Sequence, residues 1–380
     1  LEKTIHFGLN KKLFVVTVAF GFAMAIPATG IAGDTIKIGV AGAHSGDLAY
    51  YGLPTINTAE LVVAQYNAKG GINGKKVELL IEDDFCNPEM AINTATKLVT
   101  DGVDVVLGHI CSGPTKAALP IYKEAGVIVM SPSATNVDLT KSGNYSNFFR
   151  TIFPDDAEAK AMVDFTLATL GAKRIAVVYD KGDYGKNRAE FAKELIEASG
   201  KAEVVFYEEG APHPVDYTAI VQEIKRKRAD AVIFGGYHPE ASKIVSMMKK
   251  KRIDIPFVSD SGVKDDTFIK VAGINSEGVY ASGPQDNAAN PIAIAAIEDH
   301  KKAYNSDPGP FYEKAYSAAL ALLNAIEKAG STDSDAIVMA LQTEIVETPV
   351  GNIHFNAKGD AVGVGFVMYV VKDGKYVVVK

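Results

Sequence analysis

Cysteine is nearly absent from this 380-residue chain; two residues are too few for a disulfide-built scaffold or a structural zinc site. Histidine is scarce as well, with seven scattered singly and never at metal-ligand spacing. Basic charge falls short, 39 Lys and Arg against 46 Asp and Glu, and a net charge of -7 argues against nucleic acid as the main partner. Glycine and proline, at 34 and 16, sit near average usage, which excludes collagen-like and low-complexity chains. Recognised catalytic spacings are missing: there is no G-x-S-x-G elbow, no phosphate loop, no G-x-G-x-x-G after the first strand and no H-E-x-x-H. His44, His109 and His238 fall near expected strand ends without a partner in any such spacing, so each reads as structural. No catalytic residue, metal site or cofactor is expected.

Apolar runs long enough to span a membrane are also lacking. The uncharged stretch Leu13–Ile26 follows Lys3, Lys11 and Lys12 and leads into Gly30-Ile-Ala32. A basic start, a short apolar run and a small-residue exit make a secretory signal peptide; a bilayer crossing takes about 20 residues. We expect residues 1–32 to be removed after Ala32 and the mature chain to be secreted into an oxidising compartment, a retained anchor being the alternative. In that oxidising compartment Cys86 and Cys111 are expected to pair, two buried thiols being the alternative. Closing such a loop stabilises a fold by about 3 kcal/mol in the chain-entropy model.

What is present is an alternation of short β-branched runs and longer amphipathic ones, the pattern of parallel βαβ units. Strands are predicted at Ile36–Ala41, Val77–Glu82, Val103–Gly108 and Val127–Met130, with helices at Thr55–Lys69, Pro88–Thr100 and Ser112–Ala125. A second series follows Phe153-Pro-Asp155. Its strands are Arg174–Tyr179, Val204–Tyr207, Ala231–Phe234 and Pro256–Ser259; its helices are Asp156–Leu170, Tyr184–Ser199, Tyr217–Arg228 and Pro239–Lys250. Helices resume at Ile292–Tyr304 and Tyr312–Gly330, and Lys372-Asp-Gly374 signals a terminal hairpin. Two such series predict an α/β protein of two doubly wound lobes, each a parallel sheet covered by helices. Ligands of such folds gather at the carboxyl ends of strands, here in the cleft between lobes.

The strand ends carry suitable chemistry. Gly108-His-Ile-Cys-Ser-Gly-Pro-Thr115 leads a buried strand into a helix, with Ser112 at the expected N-cap position. That helix N-terminus suits a carboxylate or phosphate, and simple capping by Ser112 is equally open. Met130-Ser-Pro-Ser-Ala-Thr135 offers hydroxyls, and Tyr50 and Tyr51 are expected in a glycine-flanked loop. In the second half Tyr184 and Tyr237 lie in glycine-rich strand-end loops, and Asp260 adds an acid. An anion site facing an acid and aromatic surfaces suits a zwitterion.

Five segments, Asn67-Ala-Lys-Gly-Gly-Ile-Asn-Gly74, Asp83-Asp-Phe-Cys86, Gly108-His-Ile-Cys-Ser112, Pro132-Ser-Ala-Thr135 and Gly235-Gly-Tyr-His-Pro-Glu240, occur in this order. With them the chain resembles the periplasmic leucine/isoleucine/valine-binding proteins of branched-chain amino acid ABC importers, from Ile36 to about Lys358. The resemblance implies a type I periplasmic-binding-protein fold whose lobes are joined by three hinge crossings, near Ile152–Pro154, Ser282–Gln285 and Asp360–Gly365. Lobe 1 would be residues 33–152 plus 285–362, and lobe 2 residues 153–284 plus 363–380. It implies a Cys86–Cys111 disulfide and a carboxylate site at Ser112 and Thr135, with backbone groups of the turn Ser133-Ala134-Thr135 also touching the ligand. Tyr51, Ile110, Cys111 and Phe311 match side-chain pocket positions, and Tyr184 and Tyr237 match second-lobe residues that close over the ligand. One position departs: Ser261 stands where the family has a Glu for the ligand's ammonium. Asp260, one residue earlier, is the expected replacement.

The function this implies is capture of a small neutral, branched-chain amino acid and delivery to an inner-membrane ABC permease by a monomer, without a chemical step. A ligand-sensing subunit of the same fold, a binder of another amino acid or small amide, and a secreted hydrolase are the rivals.

Overall fold

Runs of Val, Ile and Ala with both faces covered form the centres of two sheets. The structure is a computed structural model and describes residues 35–180, 182–209, 217–284, 287, 289–363 and 365–379. The expected signal peptide, residues 1–32, lies outside them, as do Gln285 and Val364 of the expected crossings.

The first sheet holds β1 (Ile36–Gly42), β2 (Val77–Asp83), β3 (Val105–Gly108), β4 (Ile128–Ser131) and β5 (Phe148–Arg150), all parallel in the order β2-β1-β3-β4-β5. Its helices are α1 (Ala49–Ala68), α2 (Pro88–Thr100), α3 (Ser112–Glu124) and the short α4 (Asp138–Lys141). The chain then passes to α5 (Asp155–Asp164), which runs on as a π-helical turn, Phe165–Thr169.

The second series is β6 (Arg174–Tyr179), α6 (Asp183–Ser199), β7 (Glu203–Glu209), α7 (Thr218–Arg226), β8 (Ala231–Gly235), α8 (His238–Lys250) and β9 (Phe257–Ser259). Next come α9 (Asp266–Ala272) and β10 (Tyr280–Pro284). The chain returns to the first half through α10 (Pro291–Tyr304), α11 (Tyr312–Ala329) and α12 (Ser334–Thr343). A small sheet of β11 (Val346–Thr348), β12 (Gly351–Phe355) and β13 (Ala361–Val362) follows. The hairpin β14 (Phe366–Lys372) and β15 (Lys375–Val378) completes the second sheet, ordered β15-β14-β10-β9-β8-β6-β7. Asp373 and Gly374, with φ of 52° and 70°, make the predicted tight turn.

One core unites β1, β3 and β4 with α11 and α12, through residues such as Val40, Leu107, Leu322 and Ile337. Another joins Val232, Phe234 and Phe257 of β8 and β9 to Ile244 of α8 and Val371 of β14. The parallel strands of each sheet follow one pattern, the second strand outside the first and the third on its other side. Each sheet therefore has a switch point, between β1 and β3 and between β6 and β8, where loops diverge and leave a crevice.

Helix α1 differs from expectation. The sequence predicts a start at Thr55, with Tyr50 and Tyr51 in a loop, yet the helix begins at Ala49 and takes Pro54 into its interior. The first turn is held from outside: Tyr51 is buried, and Gly52 lies so close to the end of β1 that a Cβ would come within 1.9 Å of the Ala43 carbonyl oxygen. Tertiary packing outweighs the hydrogen bond that Pro54 cannot make.

Candidate functional site

The ends of β1, β3, β4, β6, β8 and β9 supply almost every residue singled out in the sequence. Tyr51, Ile110, Cys111, Ser133, Tyr184, Tyr237, Ser261 and Phe311 line one cavity, with Gly262. Ser112, Ala134, Thr135 and Asp260 do not line it; they sit buried directly behind residues that do. The space is narrow, about 10 Å³, room for roughly one water.

The first-sheet side is a cradle of hydroxyls. Cys111, not Ser112, is the N-cap of α3; Ser112 is the first helical residue. Its Oγ turns away from its own helix and accepts from the Thr135 and Asn136 N–H groups, both at 3.2 Å. The predicted capping role is therefore replaced by a cross-brace, which leaves the Ser112 O–H proton to donate. Thr135 Oγ1 is buried beside Asp155, whose carboxyl is raised by burial first, with Arg188 and then the Thr135 hydroxyl opposing. Ser133 donates its hydroxyl to Ile110 O at 2.7 Å. With the free N–H groups of α3, this face is suited to an anion.

Two buried supports hold the cradle. Arg150 Nη1 donates to Asn136 O at 2.8 Å and to Ala134 O at 3.2 Å, while Nε donates to Asp360 Oδ1 at 2.6 Å. Cys86 and Cys111 form a disulfide across 25 residues. Asp84 accepts from Cys86 N at 2.7 Å and meets His109 Nδ1 at 2.6 Å, and His109 Nε2 lies 3.1 Å from Tyr122 Oη. His109 is thus the middle of a buried structural chain.

The second-sheet side is acidic and aromatic. Arg188 of α6 donates to Asp155 Oδ1 at 2.6 Å and also pairs with Glu158; all three side chains are fully buried. Glu158 Oε1 accepts from Ser261 N at 2.8 Å, its other oxygen lies 3.3 Å from Ser261 Oγ, and it also holds the Ser282 hydroxyl. Asp260, fully buried, accepts from Gly236 N at 3.1 Å and Gly262 N at 3.0 Å. Three carboxyls thus share one guanidinium. Burial pushes the Asp260 carboxyl well above its ordinary range, with Arg188 opposing and Glu158 adding. Burial alone would lower the Arg188 pKa, but Glu158 and Asp155 outweigh it and keep the group charged. The site's charge balance therefore favours an added cation.

Four aromatic rings close the middle. Tyr184 and Tyr237 stack at 4.9 Å, and Tyr51 lies 5.9 Å from both Tyr237 and Phe311. Tyr51 Oη donates to Gly262 O at 2.6 Å and sits 2.8 Å from His238 Nδ1, which must then be the donor. Asp180 fixes this loop by accepting from Gly182 N at 3.0 Å and Tyr237 N at 3.3 Å.

Sequence reasoning missed Arg150, Asp155, Glu158 and Arg188. Asp155 and Glu158 at i, i+3 just after Pro154 were a legible acidic first turn. Nothing in the sequence announces that Arg188 faces inward.

The geometry has counterparts. A family model described as periplasmic binding protein matches residues 35–375. The chain belongs to the periplasmic binding protein family. The leucine-, isoleucine-, valine-, threonine- and alanine-binding protein of Pseudomonas aeruginosa is 37% identical to this binding protein over 359 residues, covering 94% of each chain. The Leu/Ile/Val-binding protein of Escherichia coli is 33% identical and covers 91% of this chain and 93% of its own. A crystal structure of a branched-chain amino acid transporter substrate-binding protein from Streptococcus pneumoniae, in complex with isoleucine, has a TM-score of 0.81. It is 30% identical and covers 91% of this binding protein and 99% of its own chain. A leucine-binding protein from Thermotoga maritima shares the fold with a TM-score of 0.83. The type I fold expected from the sequence is the fold of this binding protein.

Proposed function

We propose that this protein is the periplasmic receptor of an ABC importer for small neutral amino acids, branched-chain ones foremost. The halves built on the two sheets act as lobes with the boundaries expected above, meeting through Cys111, Ser112, Ser133 and Thr135 on one side and Tyr184, Tyr237, Asp260 and Ser261 on the other. The ligand's carboxylate takes the hydroxyls of Ser112 and Thr135. Its ammonium takes the Ser261 corner, where Asp260 supplies the charge that a family Glu would carry. The aliphatic chain packs on Tyr51, Ile110 and Phe311. The observation that carries this reading is the polarity of the cleft, an anion cradle facing a carboxyl-rich wall.

A space of about 10 Å³ is far too small for leucine, so entry requires the Tyr51–Gly262 contact to part. Binding then works by differential affinity: a ligand touching both lobes favours the form in which they meet around it. The closed pair of lobes is what the permease engages, and the amino acid leaves unaltered.

Titration calorimetry on the protein with leucine, isoleucine, valine, threonine and alanine tests the reading, with isovalerate as the partner lacking an ammonium. Heat with the amino acids and little with isovalerate is expected. Absence of heat with all five amino acids overturns the proposal. Leucine binding unchanged in both Asp260→Ala and Ser261→Ala removes the assignment of the ammonium corner.

A further inference from the structure

Phe311 lines a second cavity besides the amino-acid cleft, a larger one of about 410 Å³. Its walls come from both halves: Phe311, the acid Glu313, Lys314 and Val350 on one side, Lys264, Tyr369 and Tyr376 on the other.

Lys314 is the unusual member. It is 4% exposed, in the first turn of α11, and its carbonyl is fixed by the Thr151 hydroxyl at 2.9 Å. No hydrogen bond or ion pair reaches its Nζ among the described residues, and the carboxylates acting on it are Glu313 and Glu158. Burial lowers its pKa to about 8, against the pull of those two groups. A buried ammonium without a close counter-ion is costly, and an anion in the cavity would relieve that cost.

Lys264 supports this independently. Its Nζ lies 4.3 Å from the centre of the Tyr369 ring, and its stem crosses Gly283, where a Cβ would come within 2.5 Å of Lys264 Cδ. The missing side chain at Gly283 is what lets this lysine lie along the cavity wall. Two lysines against one acid, Glu313, with aromatic surfaces beside them, surround a volume fit for a small molecule and leave an excess of positive charge on its wall.

We propose that this cavity is an accessory binding site for a small organic carboxylate, whose anion is held by Lys314 and Lys264 and whose carbon body rests on Phe311 and Tyr369. Because its walls belong to both halves, an occupant also favours their closed arrangement and tightens amino-acid binding. That coupling, though not the site itself, rests on the transport reading above.

Succinate and phenylacetate are the probes, titrated by calorimetry into the full chain alone and again at saturating leucine. We expect saturable heat that persists with leucine present, weakened tenfold or more in Lys314→Met and severalfold in Lys264→Gln. Both variants should keep the wild-type leucine affinity when no probe is present. Absence of heat with either probe, displacement of the probe by leucine, or unchanged probe affinity in both variants overturns the site. If Lys314→Met does not fold, Lys264→Gln decides alone. Leucine affinity unmoved by a bound probe removes the coupling. Probe heat retained in a protein that gives none with any amino acid sinks the transport reading and leaves this site standing.

Discussion

Tyr51 and His238 meet across the cleft, phenol oxygen to ring nitrogen, at 2.8 Å, while the same phenol donates to Gly262 O at 2.6 Å. One side chain from α1 thus ties the end of β1 to the loops after β8 and β9. Tyr51→Phe keeps the ring but removes both bonds. A net loss of about 1 kcal/mol for each of the two neutral hydrogen bonds corresponds together to roughly thirtyfold. Leucine affinity, read by calorimetry, should fall by about that factor.

Burial lowers the His238 pKa to about 4, so the closed form holds this ring neutral. On opening, the ring regains water and a value near its ordinary ~6.5. Above that value both forms are neutral and closure carries no penalty. As pH falls from about 6.5 towards 4, only the open form gains the proton, so leucine affinity should fall. His238→Gln should flatten this part of the profile; an unchanged slope would remove His238 from it.

Ser112 presents its hydroxyl proton to the cradle while accepting from Thr135 N and Asn136 N. Ser112→Ala removes a bond to a charged ligand group, worth roughly 1.5–3 kcal/mol. Calorimetry should show leucine binding weakened by tenfold or more, and near-wild-type affinity would count against the carboxylate role.

Asp180 is buried, and its pKa is raised to about 7, by burial first and then by Glu240. A carboxyl raised in the folded state favours folding below the unfolded value of about 3.9 and loses that contribution as pH rises to the folded value. Asp180→Asn should therefore gain stability relative to wild type between pH 4 and 7, by at most about 1.4 kcal/mol per pH unit. Urea melts across that range measure it.

Arg188 sits fully buried between Asp155 and Glu158. Arg188→Met leaves their charges uncompensated, and breaking a buried pair in this way costs about 3–5 kcal/mol. The midpoint of urea unfolding should drop accordingly, even where leucine still binds.

The fold was legible because its signals are local. Val105–Gly108 and Ala231–Gly235 are continuous apolar runs, and Asp373-Gly374 is a two-residue turn with little conformational choice. The strand-end loops were legible for the same reason, since topology fixes where they point. What escaped depends on contacts far apart in sequence. The start of α1 is decided by Gly52 against Ala43, and the role of Ser112 by a turn 23 residues away. The three residues of β5 are too few for a periodic signal, and β10, which ends in Gly283-Pro284, becomes a strand by pairing with β9 and β14.

Arg150 is one guanidinium shared by the turn that would receive the carboxylate and by Asp360, the residue just before β13. The anion-receiving turn and that passage are mechanically a single piece. In the opening proposed above, bending there would pull directly on the turn's carbonyls, which would leave the pivot to the other two expected crossings and let a ligand seated on the turn stiffen the third.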